Sequence, residues 1–145
     1  MFRTLDLRSV GIAVSEPGPA VETFRRNFQF PLAWKEARTE AASHAVALEI
    51  GPAEIRMVAP TAESSNVARF LEQRGTGLYD LVLAVDELSA AVEDLSALGI
   101  EVSLGRAPDG GELAIVSPTH THGVRIVLVT DRQPPGTGPQ LPVTP

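Results

Sequence analysis

The chain has 145 residues, 43% of them hydrophobic, and a formal net charge of −6, enough for one domain with its own core or for two small halves that share one. That charge argues against a nucleic-acid partner, which needs clustered Lys and Arg, and makes a highly anionic ligand less natural. The absence of cysteine excludes disulfides, thiolate nucleophiles and cysteine metal sites. No apolar run approaches the roughly 18 residues of a membrane span, and the Met-Phe-Arg-Thr start lacks a signal peptide's apolar core, so a cytoplasmic chain with no membrane partner is expected.

Alternation of aliphatic residues predicts a first strand over Leu5 to Val14, and Gly18-Pro19 opens a helix whose apolar face carries Val21, Phe24 and Phe28. Pro31 to Glu40, His44 to Ile50 and Ala53 to Ala59 read as three strands, the last two joined by a tight Gly51-Pro52 turn. Ser64 to Gln73 is a short connecting helix that buries Val67, Phe70 and Leu71, and Gly75-Thr76-Gly77 resets the chain. A strand over Leu78 to Val85 and a helix over Leu88 to Leu98 follow, with Val92, Leu95 and Leu98 inward and Gly99 as its cap. Three more strands occupy Glu101 to Leu104, Glu112 to Ser117 and Val124 to Thr130, the first two joined by a turn at Asp109-Gly110-Gly111. The tail, QPPGTGPQLPVTP, is too rich in proline for a sheet or helix and is expected to be extended.

The two βαβββ patterns are copies of one unit at a constant offset of 71 positions. SVGIAVSEPGPAVETFRRNFQF lies over DLVLAVDELSAAVEDLSALGIE, with Ala13/Ala84, Val14/Val85, Glu16/Glu87, Ala20/Ala91, Val21/Val92 and Glu22/Glu93 identical. The predicted organisation is a first module at 1–62, a connector at 63–76, a second module at 77–132 and the tail at 133–145. Ser9 then has Asp80 as its counterpart, and Arg56 has Val127. Strand alternation puts Gly11, Ala13, Glu54, Val58, Val82, Ala84, Arg125 and Val129 on the same side as Ser9 and Asp80, mostly small or apolar residues that leave room for a small organic ligand.

The segments LRSVGIAV, TGLYDLVLAVDEL, AEIRMVAP, RFLEQRGTGLYD and SPTHTHGVRIVLV make the chain resemble the vicinal oxygen chelate superfamily, which includes glyoxalases, bleomycin-resistance proteins and extradiol dioxygenases. They look like those of methylmalonyl-CoA epimerases over roughly residues 5–130. The resemblance implies an α+β fold in which two βαβββ modules form a curved, half-barrel mixed sheet around a central cleft. It also implies a divalent metal on four strand positions that fall here on Ser9, Arg56, Asp80 and Val127. A hydroxyl, a guanidinium and a valine beside one carboxylate do not make a metal site, so neither metal nor other cofactor is expected.

Arg56 and Asp80 are expected to pair in the place of the ion, either as a general base with an anchor for a substrate oxygen, or as a structural salt bridge filling the hole. Ser9 adds a hydrogen bond. Candidate ligand contacts are Glu54, Val127, Tyr79, Trp34, His44, Glu40 and Glu49, with Glu36 and Arg38 beside Glu40 read as a solvated strand edge. His120 and His122 have a spacing that would chelate a metal from a strand, but they precede Gly123 in an expected exposed turn at the cleft rim.

The functional reading is a metal-independent enzyme that moves a proton on a carbonyl-containing small molecule, by epimerisation, isomerisation, cyclisation or elimination, with a place in specialised metabolism. Its rivals are a noncatalytic antibiotic-binding or resistance protein and a methylmalonyl-CoA epimerase-like enzyme with an altered metal site. A homodimer is expected from the resemblance.

Overall fold

The computed structural model describes residues 1–38, 42–106 and 111–130, with the backbone alone over 32–38. The chain divides into two compact units, one holding residues 10–79 and the other residues 1–9 with 80–130. Strand β1 (Thr4–Ala13) contributes to both. Helix, ladder and repeat give the α+β architecture of two βαβββ modules that the sequence implies.

In the unit of residues 10–79, α1 (Pro17–Phe28) begins with Pro17 in its first turn, where a missing N–H costs nothing, and ends at Gln29 in the left-handed region (φ 59°). Strands β2 (Leu32–Arg38), β3 (Ser43–Ile50) and β4 (Ala53–Pro60) form an antiparallel meander with β1 beyond β4. Gly51, at φ 56°, supplies the left-handed turn between β3 and β4. Helix α2 (Asn66–Arg74) is capped by the Ser65 hydroxyl, which accepts from the Ala68 N–H at 3.0 Å.

Two hydrophobic clusters occupy opposite faces of this ladder. Ile12, Val14, Val46, Leu48, Ile55, Met57 and Ala59 pack with Val21 and Phe24 of α1. The alternate residues Ala13, Ala45, Ala47 and Val58 pack with Val67, Phe70 and Leu71 of α2 and with Tyr79. Phe28, expected on the buried face of α1, is 59% exposed; it ends the helix and meets Phe24 and Phe30 with tilted rings, at 5.9 and 5.8 Å.

In the other unit the strand order is β5 (Gly77–Val85), β8 (Arg125–Thr130), β7 (Glu112–Val116) and β6 (Val102–Arg106). The β5–β8 pair is parallel and the remaining pairs are antiparallel. Helix α3 (Leu88–Ala97) covers one face through Leu88, Ala91, Val92 and Leu95, against Leu83, Val85, Ala114, Val116, Ile126 and Leu128. Gly99 (φ 79°) follows the helix; its N–H donates to Ser96 O and that of Ile100 to Leu95 O, each at 3.0 Å, the paired bonds that close a helix C-terminus. Leu98 is therefore the cap and is 72% exposed, against the expectation that it points inward. The N-terminal segment is tied to this unit, since Phe2 N–H donates to Asp94 at 3.0 Å and Arg3 N–H to Asp86 at 2.9 Å. Among the described residues, no helix is long and apolar enough to cross a membrane.

Candidate functional site

The most distinctive polar feature lies on the face of β5, β8 and β7 turned away from α3. Parallel register sets Asp80 beside Arg125, Val82 beside Val127 and Ala84 beside Val129; antiparallel register then sets Ile115 beside Val127 and Leu113 beside Val129. The outcome is an apolar patch across three strands with one charged pair at its end. Asp80 Oδ2 lies 3.5 Å from Arg125 Nη1, with side chains 5% and 21% exposed respectively. Among the described residues Asp80 is the one buried charged side chain, and Val127 and Ala84 are buried with it. Ser9, in the same unit, is also buried.

One ion-pair partner of Asp80 is thus Arg125, a residue that sequence reasoning placed on the right side but assigned no role. A signal was available: β5 and β8 are successive in the sheet, and Arg125 stands two residues before Val127, one step along the same face.

Arg56 belongs to the unit of residues 10–79, where it faces the same side as Glu54 and Glu49. Glu49 and Glu54 are register partners, Glu49 exposed and Glu54 half-buried, and half-buried Arg56 lies opposite Ala47. The hairpin end of this face is therefore charged, and its other end is the apolar cluster under α2. Room for a ligand was expected beside Ala13 and Val58; α2 fills that space with Val67, Phe70 and Leu71. Tyr79 sits in the same cluster, its ring edge-on to Phe70 with centroids 5.2 Å apart. His44 is opposite Ala59, on the α1 side of β3, so alternation separates it from Arg56 and Glu54.

His120 ends a short 3-10 turn, Pro118–His120, and His122 follows at φ 57°. Both are exposed, and the turn lacks the strand geometry that would stack the two rings on one side. For Trp34 and Glu36 the backbone alone is described, with Trp34 in register with Ala47 and Glu36 with Ala45. Glu40 lies outside the described residues, as do most of the Asp109-Gly110-Gly111 turn and the proline-rich tail.

Residues 8–116 match the family model of the glyoxalase/bleomycin resistance protein/dioxygenase superfamily. The chain belongs to this superfamily. It is 25% identical over 126 residues to an uncharacterised protein, YqjC, of Bacillus subtilis, covering 84% of this chain and 89% of that one. Methylmalonyl-CoA epimerase from Mycobacterium tuberculosis superposes with a TM-score of 0.78 at 29% identity, covering 86% of each chain. A Streptomyces coelicolor methylmalonyl-CoA epimerase variant in complex with 2-nitronate-propionyl-CoA gives 0.83 at 23% identity, covering 90% of this chain and all of that one; at that identity the likeness is one of fold.

The superfamily's divalent metal does not fit the residues that stand at its implied positions. Val127 offers no donor atom and is buried against aliphatic neighbours, and the Asp80 carboxylate already faces a guanidinium. A cation bound to Asp80 would be set against Arg125. Among the described residues no cluster of three or more His, Asp or Glu is arranged to hold a metal ion.

Proposed function

We propose that this superfamily member is a metal-independent enzyme that moves a proton on a carbonyl-containing small molecule. The observation that carries the reading is the buried Asp80 carboxylate, ion-paired to Arg125 at the end of an apolar strand face. A carboxylate shielded from water is suited to take a proton from carbon, and a guanidinium beside it is suited to stabilise charge developing on the carbonyl oxygen. Ser9 supplies a further hydrogen bond, and Arg56 is the second guanidinium to be tested. Epimerisation, isomerisation, cyclisation and elimination all begin with this step. The epimerases among its structural relatives favour a reaction at a carbon next to a carbonyl. The protein is further proposed to act in the cytoplasm as a homodimer, which light scattering tests.

The test is solvent deuterium exchange into a panel of ketones, thioesters and β-dicarbonyl compounds, read by mass spectrometry. Exchange by the native protein that vanishes in Asp80→Asn supports the reading; exchange that persists in Asp80→Asn refutes the role of Asp80. One observation favours a second reading, a noncatalytic binding or resistance protein: the charged pair is already neutral as a unit and the face around it is aliphatic. Tight binding of a ligand that is returned unchanged selects that alternative. Stoichiometric cobalt, nickel, manganese or zinc in the purified protein would instead select an epimerase-like enzyme with an altered metal site.

A further inference from the structure

We infer that the Asp80–Arg125 pair is a charge filter that admits uncharged, carbonyl-bearing molecules with an apolar body and rejects both carboxylates and amines. This deepens the reading of the β5–β8–β7 face as a ligand site, and it stands whether or not Asp80 moves a proton.

The argument begins with the register. Asp80 and Arg125 are neighbours on parallel strands, so their backbones fix the two charges side by side at one end of the face. From there the surface runs through Val82 and Val127 to Val129, Ile115 and Leu113, with no further charge along those partners. A ligand body on this patch therefore meets hydrocarbon, and its polar head meets a carboxylate and a guanidinium together. A carbonyl oxygen accepts from the guanidinium, and an adjacent N–H or O–H donates to the carboxylate. A carboxylate head gains from Arg125 but is set against Asp80, and an ammonium head gains from Asp80 but is set against Arg125. Because Asp80 is 5% exposed, water screens its charge poorly and a like charge beside it is costly. The buried member thus weighs more heavily against anions than the more exposed Arg125 weighs against cations.

The experiment uses three probes with one body and different heads, 2-phenylacetamide, phenylacetate and 2-phenylethylamine, titrated calorimetrically at neutral pH into the full chain. The native protein is expected to bind the amide about tenfold or more tighter than either ion. Asp80→Asn removes the anion barrier and should shift preference to phenylacetate by about tenfold or more; Arg125→Gln should shift it to the amine by a similar factor. The double variant, Asp80→Asn with Arg125→Gln, is uncharged and near in shape to the original pair. It should fold even where a single variant does not, and with both charge barriers gone it should discriminate among the three probes less than the native protein does. The inference is overturned if the native protein prefers an ion, if the single variants leave the order of the three probes unchanged, or if none of the proteins binds any probe. Deuterium exchange is read separately, so a chain that filters by charge without exchanging a proton leaves this inference standing and removes the catalytic one.

Discussion

Replacing Arg125 by Gln and, separately, Asp80 by Asn breaks the same ion pair from its two ends, and the two losses should differ. Removing one member of a buried pair commonly costs ~3 to 5 kcal/mol, because the charge left behind is dry and uncompensated. The charge left behind by Arg125→Gln is a carboxylate on a side chain only 5% exposed, whereas Asp80→Asn leaves a guanidinium whose side chain is 21% exposed. A guanidinium on a long stem can turn its head toward water, so the loss for Asp80→Asn falls to ~1 to 2 kcal/mol while that for Arg125→Gln stays near ~3 kcal/mol. The double variant strands neither charge and should cost less than the sum by ~1 to 2 kcal/mol. Urea unfolding, followed by circular dichroism and by the fluorescence of the single tryptophan, measures all three. With a slope of ~1 to 3 kcal/mol per molar urea for a protein of this size, the two single variants should be separated by roughly 0.3 to 2 M in midpoint. Equal midpoints, or a larger loss for Asp80→Asn, would refute the claim that the burial difference governs the energetics of the pair.

Other consequences can be checked in the same assay. Phe70→Ala removes the ring that meets Tyr79 edge-on and that α2 lays on the Ala13–Val58 face, and should cost ~2 to 4 kcal/mol; a loss under about 1 kcal/mol would mean that α2 does not seal that face. Ser65→Ala leaves the Ala68 N–H uncapped and should cost ~1 kcal/mol, with little change on Ser65→Asp. The Asp86 carboxyl is held below the ordinary aspartate value, first by the hydrogen bond it accepts from the Arg3 N–H. Its folded pKa being the lower one, its contribution is complete above the unfolded value and is lost as pH falls through the folded value. Asp86→Asn should therefore lower stability at neutral pH and flatten the acid limb below about pH 4, as followed by urea midpoints across pH; an unchanged acid limb would remove the N-terminal tie from the account.

The repeat was legible because duplicated strands keep their alternation and duplicated helices their small buried residues, as Ala20/Ala91 and Val21/Val92 show. Helix termini were legible to within a turn: the starts read at Gly18-Pro19 and Ser64 fall within two residues of Pro17, where α1 begins, and of Ser65, which caps α2. The face buried by α2 was not, because Val67, Phe70 and Leu71 announce an apolar stripe without naming the surface that receives it. His44 was misplaced for a simpler reason. It alternates with Val46 and Leu48, and that alternation assigns it to the α1 side without any tertiary information.

The pairing of Asp80 with Arg125 exposes a difference between the two halves that the repeat itself predicts. At the offset of 71, Ser9 and Glu54 of the first copy correspond to Asp80 and Arg125 of the second, while Arg56 corresponds to Val127. The charges have thus been redistributed along the same strand positions: the first copy holds its guanidinium two residues further along, beside Glu54 and across from Ala47, and the second holds it at the start of β8. A guanidinium at 125 has the β5 carboxylate as its register neighbour; a guanidinium at 127 would lie beside Val82 instead. Moving one arginine by a single alternation step decides whether the buried acid on the adjacent strand has a guanidinium as its register neighbour. That makes the start of β8, rather than Val127, the place where a change of side chain most directly alters the charge carried by the β5–β8–β7 face.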